Sequence, residues 1–527
     1  MRSAPPPFPT STPATPAATA HPREVIQTII GRYWLACGLR ALVEVGVANV
    51  LFGRRTGMGI SELAAACHAH PQSLAWLLRA LAPAGLVTAK ADGWHLLPAG
   101  ELLARNHPDS LQSVVWNCGK PAYGQMLRNL PDLVVSTSSA VPAFYPALPA
   151  ESTLGDALSP SWSPAPTTAD AMATTSEAPQ ARRSILTMLE AFGDLGALLV
   201  AAKHRWADQL SDGPLSLITL ATRLNASPSA VAVIAHALSR LGIIESVPGE
   251  RYALTDAGHT LRYDRPDSMR TAVLMCADPV WWEAMWHLVT VVRTGKPCLP
   301  YPYQSGYAYL AADPDAQNLF DRFMVHRSAP VADQLGAWAT TATVPDGSTI
   351  VDVGGGRGTL LAAILARRSS CRGVLLERDV VLPQARTYLI DRNVADRCQL
   401  IAGDFFTDLP PGHATYLLGS VVHNWGDLDA SRLLGAAYSA MSSTPGPAQL
   451  VCVEALLPDE SQPIIGHNHL LYGYILRMMS LFPQGHERTV TEYTALLGEA
   501  GFEISSTTAL PHGLSLIIAV PITEPTP

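Results

Sequence analysis

The chain has no Cys-x-x-Cys pair anywhere in its 527 residues; its eight cysteines (Cys37, Cys67, Cys118, Cys276, Cys298, Cys371, Cys398 and Cys452) are scattered. Such scatter argues against zinc and reads as reduced thiols of a cytosolic protein rather than a disulfide framework. A basic excess is also missing. The 36 Lys and Arg stand against 44 Asp and Glu, a formal charge of −8 that gives no footing for nucleic acid or an anionic membrane. No run approaches the roughly 18 uninterrupted apolar residues that a spanning helix needs. The Pro/Ala/Thr run from Ser3 to Ala20 lacks the apolar segment of a signal peptide. Residues 1–22 are therefore expected to be a disordered tail, and the protein to be cytoplasmic. What the chain does have is a 48% hydrophobic content and length enough for about three domains.

The first two thirds repeat at an offset of about 158 residues. Residues 60–86 run from Ile60-Ser61-Glu62-Leu63-Ala64 through Pro71 and Leu81 to Gly85-Leu86, and residues 217–243 from Leu217-Ile218-Thr219-Leu220-Ala221 through Pro228 and Leu238 to Gly242-Ile243. Each copy has helical apolar spacing, a glycine stop and a short β-prone hairpin, Trp94-His95-Leu96 in one and Tyr252-Ala253-Leu254 in the other. Both continue to Pro-Asp-Ser (Pro108–Ser110, Pro266–Ser268) and to a cysteine three residues before a proline (Cys118, Cys276). Helices followed by a β-wing make a winged-helix layout, present twice, over residues 23–134 and 182–343. The Ser/Thr/Pro/Ala-rich stretch 135–181 buries too little to order itself and is expected to be a flexible linker.

From Val344 to the end, strands alternate with helices: Thr349–Val353, Gly373–Leu376, Cys398–Ala402, Ala414–Leu418 and Gln449–Val453, with a closing pair near Phe502–Thr507 and Leu514–Val520. This predicts an α/β, Rossmann-like, mostly parallel sheet over 344–527, with ligands at the carboxyl ends of the strands. After strand one, Asp352-x-Gly354-x-Gly356-x-Gly358 forms a glycine turn that lets a nucleotide-like ligand approach the backbone. Glu377, ending strand two, is placed to accept from both ribose hydroxyls; in isolation it reads equally as a solvated acid. Asp404 and Phe405 follow strand three, suited to an adenine amino group and ring, or to a helix N-cap followed by core aromatics. His423 follows strand four, in the expected cleft. Glu454 and Glu487 are placed to receive its Nδ1–H, which fixes the tautomer and leaves Nε2 to take a proton. The plainer alternatives are a loop acid for Glu454 and a helix-capping role for Glu487.

At this point the sequence resembles a known family, the S-adenosylmethionine-dependent O-methyltransferases of the plant caffeate and bacterial polyketide-tailoring type. The resemblance spans residues 183–522. It is carried by Val351-Asp352-Val353-Gly354-Gly355-Gly356, by Asp396-Arg397 leading to Gly403-Asp404-Phe405-Phe406, and by His423-Asn424-Trp425, Val453-Glu454, Glu487-Arg488-Thr489 and Ala500-Gly501-Phe502. It implies S-adenosylmethionine as cofactor, held by Asp352, Gly354, Gly356, Glu377, Asp404 and Phe405, and a small-molecule acceptor. It makes His423 the general base flanked by Glu454 and Glu487, places Met324 in the acceptor pocket, and requires no metal. Trp282 and Trp286, at helical spacing, are expected either to line that pocket or to be core. The winged-helix region of the family is a dimerisation domain, so residues 24–128 look like a second such domain. Three positions depart from the family pattern: Gly419 for a lysine, Arg327 for a pocket histidine (His326 is one position off), and Gln484 for a glycine.

The leading expectation is thus an O-methyltransferase for a phenolic or polyketide-like metabolite. The alternatives are a related enzyme turned to N-methylation, decarboxylation, hydroxylation or cyclisation, and a winged-helix regulator, which the acidic charge balance disfavours. A linker of about 47 residues has a root-mean-square span of about 35–40 Å. The first copy can therefore fold onto the second as an intramolecular pseudo-dimer, giving a monomer; the competing arrangement is an ordinary homodimer.

Overall fold

The computed structural model describes residues 21–118, 120–135, 177–300, 302–340, 344–444, 446–459, 469–482 and 484–522. The expected tail up to residue 20 and most of the expected linker, 136–176, lie outside the described residues. Both boundaries need correction. A helix already begins at Pro22, and a second runs Glu177–Lys203, taking the last residues assigned to the linker because Ala181 there is buried.

The two repeats have the same order of elements. In the first, a long helix (Pro22–Val45) precedes helices Ile60–Ala66 and Pro71–Leu81 and the hairpin of β1 (Val87–Lys90) and β2 (Gly93–Leu96). In the second, the Glu177–Lys203 helix precedes β3 (Leu215–Ser216), helices Leu217–Leu224 and Pro228–Arg240, β4 (Ile244–Val247) and β5 (Arg251–Leu254). Their sheet order is β3-β5-β4; in the first repeat the place of β3 is taken by a single bridge, Met58 to Trp94. Both Pro71–Leu81 and Pro228–Arg240 start on proline, which has no N–H to leave unsatisfied there. The long helices pack on one another, with Tyr33 edge-on to Phe192 at 5.9 Å. Residues 179–203 are long and apolar enough to cross a membrane by composition alone, yet 78% of that window is buried inside the molecule.

The C-terminal part is an α/β sheet in the order β12-β13-β10-β9-β6-β7-β8. Its strands are β6 (Thr349–Val353), β7 (Arg372–Glu377), β8 (Cys398–Ala402), β9 (Thr415–Gly419), β10 (Gln449–Leu457), β12 (Phe502–Ala509) and β13 (Leu514–Pro521). Strands β6 to β10 are parallel, and β13 is antiparallel to both β10 and β12. Their apolar runs, such as the fully buried Tyr416–Leu418 and Leu450–Cys452, are what a sheet covered on both faces requires. The order reverses between β6 and β9, and ligands of such sheets bind outside the carboxyl ends at that switch point. Strand β10 runs three residues past Glu454, and this extension pairs with the two-residue β11 (Arg488–Thr489). That pairing brings the segment around Glu487 back over the end of β9.

Candidate active site

The glycine turn leaves β6 with Gly354, Gly356 and Gly358 all at positive φ (64°, 60° and 78°), backbone that side-chain-bearing residues seldom adopt. A Cβ on Gly355 would come within 2.2 Å of the Asp352 carboxylate, which lies buried beneath the turn. Burial pushes that carboxyl up to about 7. The N–H of Gly356 donates to Glu377 Oε2 at 3.0 Å and the N–H of Arg378 to Oε1 at 2.8 Å, so Glu377 ties the end of β7 to the turn. Asp404 accepts from the N–H of Phe406 at 3.0 Å in a local turn; no helix begins there, so it is not the helix N-cap of the alternative reading. Phe405 stands edge-on to Trp425 at 5.8 Å and would touch a Cβ on Gly354. Asp352, Gly354, Gly356, Glu377, Asp404 and Phe405 all line one cavity of about 480 Å³, which also reaches His423 and Met324. An acid at the second strand end, a glycine cradle and an aromatic wall suit an adenosyl group.

His423 sits in a 3-10 turn just after β9, 6% exposed. Its Nδ1–H donates to Glu487 Oε1 at 3.0 Å, and Glu454 Oε2 lies 3.6 Å from the same nitrogen. Glu454 Oε1 accepts the N–H groups of Val421 and Val422 at 2.9 and 2.8 Å, holding the turn that carries the imidazole. Burial opposes a charged ring, but the Glu487 and Glu454 carboxylates outweigh it and raise the imidazole above its ordinary value. Burial likewise raises Glu454, with His423 pulling the other way. Glu487 does not cap the following helix: the capping box there is Thr489 with Glu492. Arg488, 1% exposed, clamps the segment by donating to Trp425 O at 2.8 Å and Asp427 Oδ1 at 2.7 Å. Ligand atoms of His423, Glu454 and Glu487 lie within 4.8 Å of one another, a spacing a metal could use. The Nδ1 to Oε1 distance is that of an ordinary hydrogen bond.

The three departures acquire physical readings. Beside Gly419 the space is filled by Leu360, whose Cδ1 would lie 2.6 Å from a Cβ there. Gln484 adopts φ 61°, the left-handed conformation that explains why a glycine is usual, and its side chain packs where a Cβ on Gly426 would stand. Arg327 enters the cavity and donates to Ser420 Oγ at 2.5 Å, while His326 turns away to Thr271 Oγ1 at 2.9 Å.

Trp282 and Trp286 require correction as pocket residues. Trp282 stacks on Tyr33 at 5.3 Å and Trp286 lies 5.5 Å from Phe192, both inside the junction between the two long helices. Four residues apart, they share one helix face, and Trp281 on another face is the tryptophan that lines the cavity. Sequence reasoning also missed Tyr307, Tyr474 and Arg477 in the cavity wall. No motif marks them: Tyr307 lies on a helix well before the sheet (Gly306–Ala312), and Tyr474 and Arg477 lie on the apolar helix His469–Leu481 between β10 and Glu487.

A nucleotide-type cleft at the switch point of a mostly parallel sheet, with a carboxylate-held histidine on its wall, is the layout of an α/β enzyme that takes an adenosyl-type ligand. Comparisons with known proteins sharpen this class. The family model described as "O-methyltransferase domain" matches residues 285–503. The chain is 32% identical over 346 residues to 3-amino-4-hydroxybenzoate 4-O-methyltransferase of Streptomyces cremeus, covering 64% of this chain and 90% of that protein. It is 30% identical over 347 residues to aclacinomycin 10-hydroxylase RdmB of Streptomyces purpurascens, covering 62% and 87%. Among solved structures it is similar to CalO1, a methyltransferase of calicheamicin biosynthesis in its SAH-bound form, with TM-score 0.56 and 26% identity over 65% of this chain and 98% of that one. The chain belongs to the S-adenosylmethionine-dependent O-methyltransferase family.

Proposed function

We propose that the protein transfers a methyl group to the hydroxyl of a phenolic or polyketide-like secondary metabolite, with His423 as general base. The observation that carries this is the His423–Glu487 hydrogen bond of 3.0 Å on the wall of the cavity that also holds the glycine turn and Glu377. When bound, S-adenosylmethionine supplies a methyl on a positively charged sulfur, and the electron pair of the broken S–C bond remains on sulfur. A phenol with pKa near 10 is mostly unionised at neutral pH. His423 Nε2 takes its proton as the O–C bond forms, and Glu487 with Glu454 stabilises the imidazolium. Gly354, Gly356, Glu377, Asp404 and Phe405 hold the nucleoside, and Met324 with Trp281 bounds the acceptor. Holding the acceptor oxygen in line with the methyl is the larger contribution of the protein. Labelled methyl transfer to a panel of phenols tests the reading. The substitution His423→Gln is expected to lower kcat on the order of 10²–10⁴-fold with S-adenosylhomocysteine affinity intact. Undiminished transfer would remove the base and leave the family assignment standing. Zinc or chelator is expected to leave the rate unchanged.

A second reading is favoured by the resemblance to a 10-hydroxylase and by Gly419: the same scaffold serving hydroxylation or another non-transfer reaction. Product formed without stoichiometric S-adenosylhomocysteine would select it.

The packing of the first repeat further supports a pseudo-dimer and so a monomer, and the formal charge of −8 goes with a cytoplasmic protein working without nucleic acid or membrane. Its Pro22–Val45 helix packs on the catalytic helix His469–Leu481 as well as on Glu177–Lys203. Sedimentation is expected to return the chain mass of 56.2 kDa; twice that value would favour an ordinary dimer that the first repeat merely decorates.

A further inference from the structure

Two guanidinium groups reach the acceptor side of the cavity, and they are not equivalent. Arg327 is accounted for by its neighbours: it donates to Ser420 Oγ, lies over Tyr474 at 5.2 Å, and is close enough to Glu487 and Glu454 to balance their charge. Arg477, on the His469–Leu481 helix, is 7% exposed, makes no ion pair and donates no hydrogen bond among the described residues. Its guanidinium is framed instead by three rings, Trp34 at 5.2 Å, Trp281 at 4.9 Å and Phe323 at 5.2 Å. The nearest buried acid, Asp278, spends its carboxylate on the N–H groups of Val280 and Trp281 and on the Tyr309 hydroxyl at 2.7 Å. Rings hold a planar cation in orientation but leave its in-plane donors unused, and an arginine stays charged wherever it is buried. A desolvated cation without an anion is costly to fold unless a ligand brings one.

We propose that Arg477 is the anion-recognition residue of the acceptor site, and that the acceptor is an aromatic hydroxy acid whose carboxylate pairs with this guanidinium while its hydroxyl faces His423. This rests on the methyl-transfer reading for the fate of the hydroxyl, but not for the binding of the carboxylate. Trp34 comes from the first repeat, so that repeat braces the guanidinium from outside the cavity that Arg477 enters.

The test compares 3-hydroxy-2-naphthoate with its methyl ester and with 2-naphthol, in wild type, Arg477→Met and Arg477→Lys. Turnover is measured with S-adenosylmethionine, and binding by calorimetry in the presence of S-adenosylhomocysteine. The wild type is expected to prefer the acid. In Arg477→Met, kcat/KM and affinity for the acid fall on the order of 10–100-fold, as for a charge-assisted hydrogen-bond pair, while 2-naphthol changes less than about three-fold. Arg477→Lys restores part of the loss. Equal losses for acid and naphthol, with thermal stability lowered in step, would mark Arg477 as structural and overturn the proposal. So would a wild type that binds the acid no better than the naphthol. Arg477-dependent binding of the acid without any methyl transfer would sink the transfer reading and leave the anion site standing.

Discussion

The two winged repeats are near copies in secondary structure, yet their second helices meet opposite fates. In the register that pairs Ile60 with Leu217, Trp76 corresponds to Val233 and Arg79 to His236. Trp76 is 7% exposed and stacks on His486 at 4.8 Å, one residue from the Glu487 that holds the proposed base. Arg79 pairs with Glu492 at 3.1 Å, on the helix that follows. On the second repeat Val233 is 37% exposed, His236 is exposed, and nearby Ile218 is 72% exposed. The same helix position is thus a buttress in one copy and free surface in the other. Among the described residues one catalytic sheet is present, and it lies against the repeat that carries the large aromatic there. Similar local sequence gives both regions one shape, and the neighbour decides which face becomes core.

The sharpest way to break this comparison is a pair of truncations. Trp76→Ala should destabilise the protein by about 3–5 kcal/mol, while Val233→Ala should cost under about 1 kcal/mol; equal midpoints in chemical denaturation would erase the asymmetry. Next in size, Trp34→Ala removes a ring over Arg477, a contact worth about 1–2 kcal/mol when desolvated. It is expected to lower kcat/KM about ten-fold by RT arithmetic, with S-adenosylhomocysteine affinity unchanged, and an unaffected rate would detach the first repeat from the acceptor site.

A third test follows the contact into the chemistry. His423 must be neutral to accept a proton, and its carboxylate neighbours raise it above the ordinary value, so the rate is lost as pH falls through that raised value. Glu487→Gln removes one raising charge. The acidic limb of kcat should then move to lower pH, beside a fall in the plateau. Trp76→Ala should move it the same way by less, because His486 loses its stacking partner. A limb that stays in place would uncouple repeat and base. The smallest effect is expected at the rim: Arg79→Ala, breaking a partly exposed pair, costs about 0.2–1 kcal/mol, and His236→Ala nothing measurable.

The local signals in the chain were enough to determine a good deal. Apolar runs of strand length, the glycine spacing after Asp352 and the acid at Glu377 are short-range patterns, and they predicted each parallel strand to within a residue or two at most ends. His423, Glu454 and Glu487 were legible because each stands near a strand end or in a recognisable motif. What only the tertiary structure decided are contacts between distant segments. The extension of β10 to Leu457 depended on β11 arriving beside it. The retreat of Trp282 and Trp286 into the core depended on which face of their helix met Tyr33 and Phe192. Arg477 with Trp34, nearly the length of the chain apart, belong to no common pattern. Periodicity records which residues share a face of one element, but burial and charge pairing are set by whatever element lands on that face.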